Sequence, residues 1–115
     1  MTSADDYPAV ALAFAKALAS RDYDGAYAMT STDFQRLLTR DEMRAAFEAI
    51  VPADWGTLES VDAGHTMTEW PGMEPSDVGW AYVSIGGDVY SEAVIVIVST
   101  EDGVLKVRHV EFGRP

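Results

Sequence analysis

The chain has 115 residues, enough for one domain over residues 1–115, and its 48% apolar content favours a folded globule. Eight basic against nineteen acidic residues give a net charge of −11, which disfavours nucleic-acid partners and anionic membrane surfaces. The chain contains no cysteine, which excludes disulfides, thiolate metal sites and cysteine nucleophiles.

An apolar stretch near the N-terminus, Pro8 to Ala15, resembles the centre of a signal peptide. Asp5 and Asp6 precede it and Lys16 follows it, whereas a secretory signal carries its basic residues first. No run of residues approaches the ~18 apolar residues of a membrane span. We therefore expect a cytoplasmic protein.

Helical spacing dominates the first half of the chain. Four apolar residues recur at steps of three and four and predict one buried stripe on a first helix: Tyr7, Val10, Phe14 and Leu18. Asp22 is placed to cap a short second helix from Tyr23 to Met29, on which Ala26 and Tyr27 share a side with Tyr23.

Two segments have the spacing of a capping box, in which the first and fourth residues satisfy each other's backbone groups. They are Thr32 to Gln35 and Thr39 to Glu42, and apolar residues at helical intervals follow the second. Val51 and Pro52 are predicted to end that helix, because the residue before a proline avoids helical geometry.

From Thr57 onward the apolar period changes to two, which predicts strands. On the first strand, strict alternation puts Val61, Ala63, His65 and Met67 on one side. Three further strands are predicted, at Val78 to Ile85, Ala93 to Ser99 and Val104 to Phe112. The turns between them are predicted at Gly86-Gly87-Asp88 and at Glu101-Asp102-Gly103.

Short turns force consecutive strands to pair antiparallel, since a parallel return needs a long crossover. The sequence thus predicts an α+β fold, with N-terminal helices packed on a curved four-stranded meander. The third strand is apolar on both sides, so it should be central and covered twice. We expect helices on one side and a second copy of the chain on the other, which would form a homodimer through the outer sheet face.

The order of these segments resembles the nuclear-transport-factor-2-like, or cystatin-like, superfamily, and especially its small bacterial members of unknown role. The resemblance covers nearly the whole chain and is carried by these segments: Arg21 to Tyr27, Ser31 to Phe34, Thr39 to Glu42 and Val107 to Gly113. It implies a cone-shaped domain with a pocket between the sheet and the helices. The superfamily includes isomerases, polyketide cyclases, dehydratases, toxin-immunity proteins and binding modules, so it does not decide the function.

The two histidines fall on strand sides shared with aliphatic residues. His65 lies between Ala63 and Met67, and His109 is in phase with Leu105 and Val107. If both sides face the cone, the two imidazoles line one pocket and could act as general bases. The alternative is that each is a half-exposed strand residue.

An isomerase, cyclase or dehydratase would also need a carboxylate in apolar surroundings. Glu69 and Glu111 share the sides of the histidines, but both lie near strand ends. No carboxylate lies in mid-strand among apolar neighbours, which argues against catalysis, and we assign no catalytic residue. No spacing indicates a metal site or a cofactor.

Aromatic residues supply the remaining candidates, as core side chains or as the lining of a pocket. The predicted ligand-binding residues are Tyr27, His65, Trp80, Tyr82 and His109. We expect a non-catalytic binding domain for a small apolar ligand or a protein partner. An acidic interaction protein that masks a basic partner, such as a toxin-immunity protein, is the further alternative.

Overall fold

The computed structural model describes residues 6–52, 54, 58, 60–87 and 91–113. Within these ranges four helices precede four strands: α1 (Tyr7–Ala19), α2 (Tyr23–Ala28), α3 (Thr32–Leu37), α4 (Arg40–Ile50), β1 (Ser60–Met67), β2 (Asp77–Gly86), β3 (Ser91–Glu101) and β4 (Val104–Phe112). The strands form one antiparallel sheet in the order β1-β2-β3-β4, and the helices pack on one of its faces. The predicted α+β meander is confirmed. None of the helices in these ranges is long and apolar enough to cross a membrane.

Side-chain caps mark the start of α2, α3 and α4. Thr39 and Glu42 form the predicted capping box at the start of α4, with two hydrogen bonds of 3.1 and 2.9 Å. The box predicted over residues 32–35 is wrong, because α3 is capped one residue earlier. There the Ser31 hydroxyl accepts a hydrogen bond of 3.1 Å from the backbone N–H of Phe34.

The space between the helices and the sheet is filled by apolar side chains. The largest ones that are fully buried come from α1, from α4 and the residue that follows it, and from β2, β3 and β4: Phe14, Leu18, Met43, Phe47, Val51, Val83, Ile85, Val94, Val96, Val98 and Val107. At the start of α1 the ring of Tyr7 lies so close to Gly79 that a Cβ there would overlap it. The core therefore sits between the helix layer and one sheet face.

Strand β3 is central in the sheet, as predicted. Every residue from Ala93 to Ser99 is buried, so side chains on both faces of this strand are covered. The predicted hairpin turn after β3 is also confirmed, since Asp102 and Gly103 both have positive φ, at 54° and 77°. The turn predicted before β3 includes Asp88, which lies outside the described residues, although Gly86 and Ser91 pair as antiparallel neighbours.

Strict alternation is wrong on β1. Ala63 pairs with Val83 whereas His65 pairs with Tyr82, so Gly64 is an extra residue that forms a β-bulge. Because a bulge shifts the alternation by one residue, Ala63 faces the helices and His65 faces away from them.

A second bulge has the same effect on β4. Val107 pairs with Val98 and His109 pairs with Ile97, which leaves Arg108 as the extra residue. The prediction that His109 shares a face with Val107 is therefore wrong. Val107 is fully buried under the helices, and His109 is exposed on the opposite face.

Candidate functional site

The sheet face that points away from the helices, here called the open face, is built from two rows of directly paired residues. The first row is His65, Tyr82, Ile95 and Glu111. The second row is Met67, Trp80, Ile97 and His109. Side chains of paired residues lie side by side on one face of a sheet. The open face therefore has an apolar centre with titratable groups at its two edges.

The apolar centre of the open face is largely shielded from water. Ile95 and Ile97 are only 2% and 7% exposed. They lie between half-buried Trp80 and Tyr82 on β2 and polar side chains on β4. The ring of His65 packs edge-on against Trp80, with 5.8 Å between the centroids. The His65 ring thus packs against one edge of the open face's apolar centre.

A depression of about 400 Å³, here called the groove, lies at the end of the second row. Its apolar lining consists of Met67, Trp70, Pro71, Gly72, Trp80 and Ile97. Its polar lining consists of Arg108, His109 and Glu111. Two indole rings and three side chains that carry or can acquire charge therefore meet in one surface feature.

Arg108 is fixed by two carboxylates. Its Nε and a terminal nitrogen donate to Asp77 at 2.6 and 2.8 Å, and its other terminal nitrogen lies 2.9 Å from Glu74. The Asp77 carboxylate is fully buried and the Arg108 side chain is 18% exposed. The hydrogen bonds that Arg108 donates to Asp77 raise the pKa of Arg108 above its ordinary value. The three groups together carry one more negative than positive charge.

The same carboxylate closes the loop that borders the groove. The backbone N–H of Glu74 donates to Asp77 Oδ2 at 2.9 Å, and the backbone N–H of Asp77 donates to the Glu74 carbonyl at 3.0 Å. Buried polar groups need such partners, because an unpaired one costs free energy. Asp77 therefore ties the loop after β1 to Arg108 on β4.

A smaller depression, of about 280 Å³, lies on the other side of Arg108 and His109. Its remaining lining is Asp33, Arg36, Leu37 and Glu74. Leu37 is 78% exposed, the most exposed of the large apolar side chains in the described residues. Arg108 and His109 therefore separate two surface depressions.

The structure brings four of the five predicted ligand-binding residues to the open face: His65, Trp80, Tyr82 and His109. The fifth, Tyr27, lies on α2 in the helix layer. Its hydroxyl donates to the Leu38 carbonyl at 2.7 Å, and its ring packs edge-on against Phe34. These contacts fix the end of α3 and give Tyr27 a structural role.

The groups considered for acid–base chemistry are spread over the sheet. His65 on β1 is separated from His109 and Glu111 on β4 by β2 and β3, which is about 14 Å at the usual strand spacing. Glu69 is exposed beyond the end of β1. Only His109 and Glu111 share the groove, and both are exposed. In the ranges that the structure describes, no three histidine or acidic side chains are grouped to hold a metal ion.

Sequence reasoning missed Arg108, Asp77 and Glu74. Strict alternation predicts that Arg108 lies on the side opposite to both Val107 and His109. In the structure Arg108 is the extra residue of a bulge, and the bulge sets the direction of its side chain. One signal was present, since a lone arginine among the valines of a predicted strand needs a carboxylate partner if it is buried. The sequence could not identify which carboxylate.

Comparisons of the chain with family models, with curated proteins and with solved structures yield no match. The resemblance to the nuclear-transport-factor-2-like superfamily stays a prediction.

Proposed function

We propose that this chain is a non-catalytic binding domain that holds a basic protein partner on its open face. The observation that carries the proposal is the convergence of Trp70, Trp80, Tyr82 and Met67 on a sheet face without helices among the described residues. Tryptophan, tyrosine and methionine are enriched in protein interfaces relative to the rest of the surface.

The shape of the site favours a protein over a small apolar molecule. Pockets for small ligands enclose most of the ligand surface. Here the space between the helices and the sheet holds fully buried side chains such as Phe14 and Phe47. The groove is a surface depression beside the half-buried ring of Trp80, and such a site suits a side chain presented by a larger partner.

The charge of the domain favours a basic partner. The net charge is −11, and exposed carboxylates lie on or beside the open face at Asp62, Glu69, Glu74 and Glu111. Arg108 offers little compensation because two carboxylates already hold it. Complementary charge speeds association and suppresses wrong partners. A second copy of the chain is the competing occupant of this face. A homodimer is disfavoured because both copies would bring the same acidic groups together.

The separation of the titratable groups favours binding over catalysis. A general acid and a general base must both reach one substrate within hydrogen-bond distance. His65 lies about 14 Å from Glu111 at the usual strand spacing, which is too far for them to act on one bond. His109 and Glu111 do share the groove, but both are exposed to water and not in the apolar surroundings that a catalytic carboxylate needs. We therefore assign the histidines to recognition.

A displayed library of random peptides, selected on the wild-type domain, tests the proposal. We expect the selected peptides to be rich in lysine, arginine and aromatic residues. Trp80→Ala should weaken them about tenfold or more, as expected for a residue at the centre of an interface. Val104→Ala is the matched control, because Val104 is an exposed apolar residue of the same sheet that does not line the groove.

Equal binding to Trp80→Ala and wild type would refute the use of the open face. Sedimentation equilibrium of the free domain provides the second outcome. A stable dimer that Trp80→Ala dissociates would show that a second copy occupies the face, and it would overturn the basic partner.

A further inference from the structure

The groove points to one kind of contact. We infer that it takes an arginine side chain of the partner, with the guanidinium against the indoles of Trp70 and Trp80 and paired with the Glu111 carboxylate. This inference rests on the proposed function and specifies its central contact.

The apolar lining of the groove suits the stem of a long cationic side chain. Met67 and Ile97 lie on the second row of the open face, next to the Trp80 ring. Arginine and lysine bury their methylene stems along apolar surfaces and keep the charged end near water or a counter-charge. A cation within about 6 Å of an indole face is attracted by the ring quadrupole.

The charges in the groove select a cation over an anion. Arg108 is already paired through a bidentate contact with Asp77 and a further contact with Glu74, so an anionic ligand would compete with two carboxylates. Glu111 is exposed and lines the groove, and no residue that the structure describes forms an ion pair or hydrogen bond with its carboxylate. A neutral ligand would desolvate Glu111 without compensation, which costs free energy.

Arginine fits these groups better than lysine does. Its planar guanidinium stacks on aromatic rings and binds a carboxylate through two parallel hydrogen bonds. The ammonium of lysine is a compact, strongly hydrated charge with neither property. The groove presents both an aromatic wall, with Trp70 and Trp80, and a carboxylate, on Glu111.

The test uses N-acetyl-arginine amide as the probe and its neutral isostere, N-acetyl-citrulline amide, as the matched ligand control. The indole N–H signals of Trp70 and Trp80 are followed by NMR during titration of the whole chain. We expect saturable shifts of both signals with the arginine probe and about tenfold weaker binding of citrulline, which lacks the charge. N-acetyl-lysine amide should bind more weakly than the arginine probe.

Two variants test the carboxylate. Glu111→Gln should weaken the arginine probe about two- to fivefold, since it removes an ion pair at an exposed carboxylate and keeps the shape. Asp62→Asn is the matched control, because Asp62 is an exposed acid on the same face outside the groove, and its affinity should equal that of wild type. Unchanged thermal unfolding of both variants verifies that the fold is retained.

The inference is overturned if the arginine probe shifts neither indole signal, if citrulline or lysine binds as well, or if Glu111→Gln has no effect. If the selected peptides require Trp80 for binding but contain no essential arginine, the proposed function holds and this inference is wrong. Peptides that bind independently of Trp80 would remove the proposed function as well.

Discussion

Asp77→Asn is the most informative perturbation of the scaffold behind the groove. Asp77 is fully buried and accepts hydrogen bonds of 2.6 and 2.8 Å from Arg108. Asparagine keeps the shape of the side chain, but it has one acceptor oxygen where aspartate has two, and it carries no charge. The variant therefore removes the charge and the hydrogen bonds at whichever oxygen becomes the amide nitrogen. That is one bond from Arg108 and, at Oδ2, also the bond from the backbone N–H of Glu74.

The expected loss in the free energy of unfolding is about 2–4 kcal/mol. One charge-assisted hydrogen bond contributes about 1.5–3 kcal/mol. Breaking a buried ion pair costs about 3–5 kcal/mol when the remaining charge has no other partner. In the variant Arg108 still contacts Glu74, and its side chain is 18% exposed. The expected loss therefore lies near the lower end of the range for breaking a buried ion pair. Glu74→Gln is the matched control and should cost less than about 1 kcal/mol, because Glu74 is 56% exposed.

Urea unfolding followed by tryptophan fluorescence measures both variants. Added salt should reduce the effect of Glu74→Gln and leave that of Asp77→Asn nearly unchanged, because buried pairs are screened less. The reasoning is refuted if Asp77→Asn costs less than about 0.5 kcal/mol, or if Glu74→Gln costs as much.

Three further predictions concern the fold. Gly79→Ala should lower the stability by about 1–3 kcal/mol in thermal unfolding, because the added methyl group overlaps the Tyr7 ring. When Tyr7→Ala is already present, Gly79→Ala should cost almost nothing more. An equal cost in both backgrounds would contradict the overlap. Thr39→Ala should cost about 1 kcal/mol in urea unfolding by removing a cap, whereas Thr39→Ser should be nearly neutral. The backbone N–H of Thr32 lowers the pKa of Glu101 below its ordinary value. That contribution to stability is present above the unfolded-state pKa and is lost as the pH falls through the folded-state pKa. Glu101→Gln should therefore flatten the acid limb of stability against pH, and an unaltered limb would contradict the assignment.

Local signals made most of the fold predictable from the sequence. The capping box of Thr39 and Glu42 and the cap of Asp22 on α2 depend on residues within one helical turn, so their spacing is visible in the chain. The bounds of β4 agree with the predicted ones, since Asp102 and Gly103 mark its start. Antiparallel pairing then followed from short connections alone.

The directions of His65 and His109 were not predictable in the same way. Each depends on one extra residue, Gly64 or Arg108, that breaks the alternation of its strand. A bulge is defined by the partner strand. Gly64 is a sequence signal of one, because a glycine inside a strand often marks a bulge, whereas Arg108 gives no such signal. A shift by one residue moves every following side chain to the other face. Both imidazoles therefore lie on the open face.

The sequence by itself determined the helices, the strands, their antiparallel order and the acidic charge, because each follows from residues that are close in the chain or from composition. Only the tertiary structure decided that Trp70, Trp80, His109 and Glu111 share a groove, because strand register brings them together. It alone also paired Arg108 with Asp77, which lies thirty-one residues away in the chain. A buried arginine requires a carboxylate, and the register of β2 and β4 on the two sides of β3 supplies it.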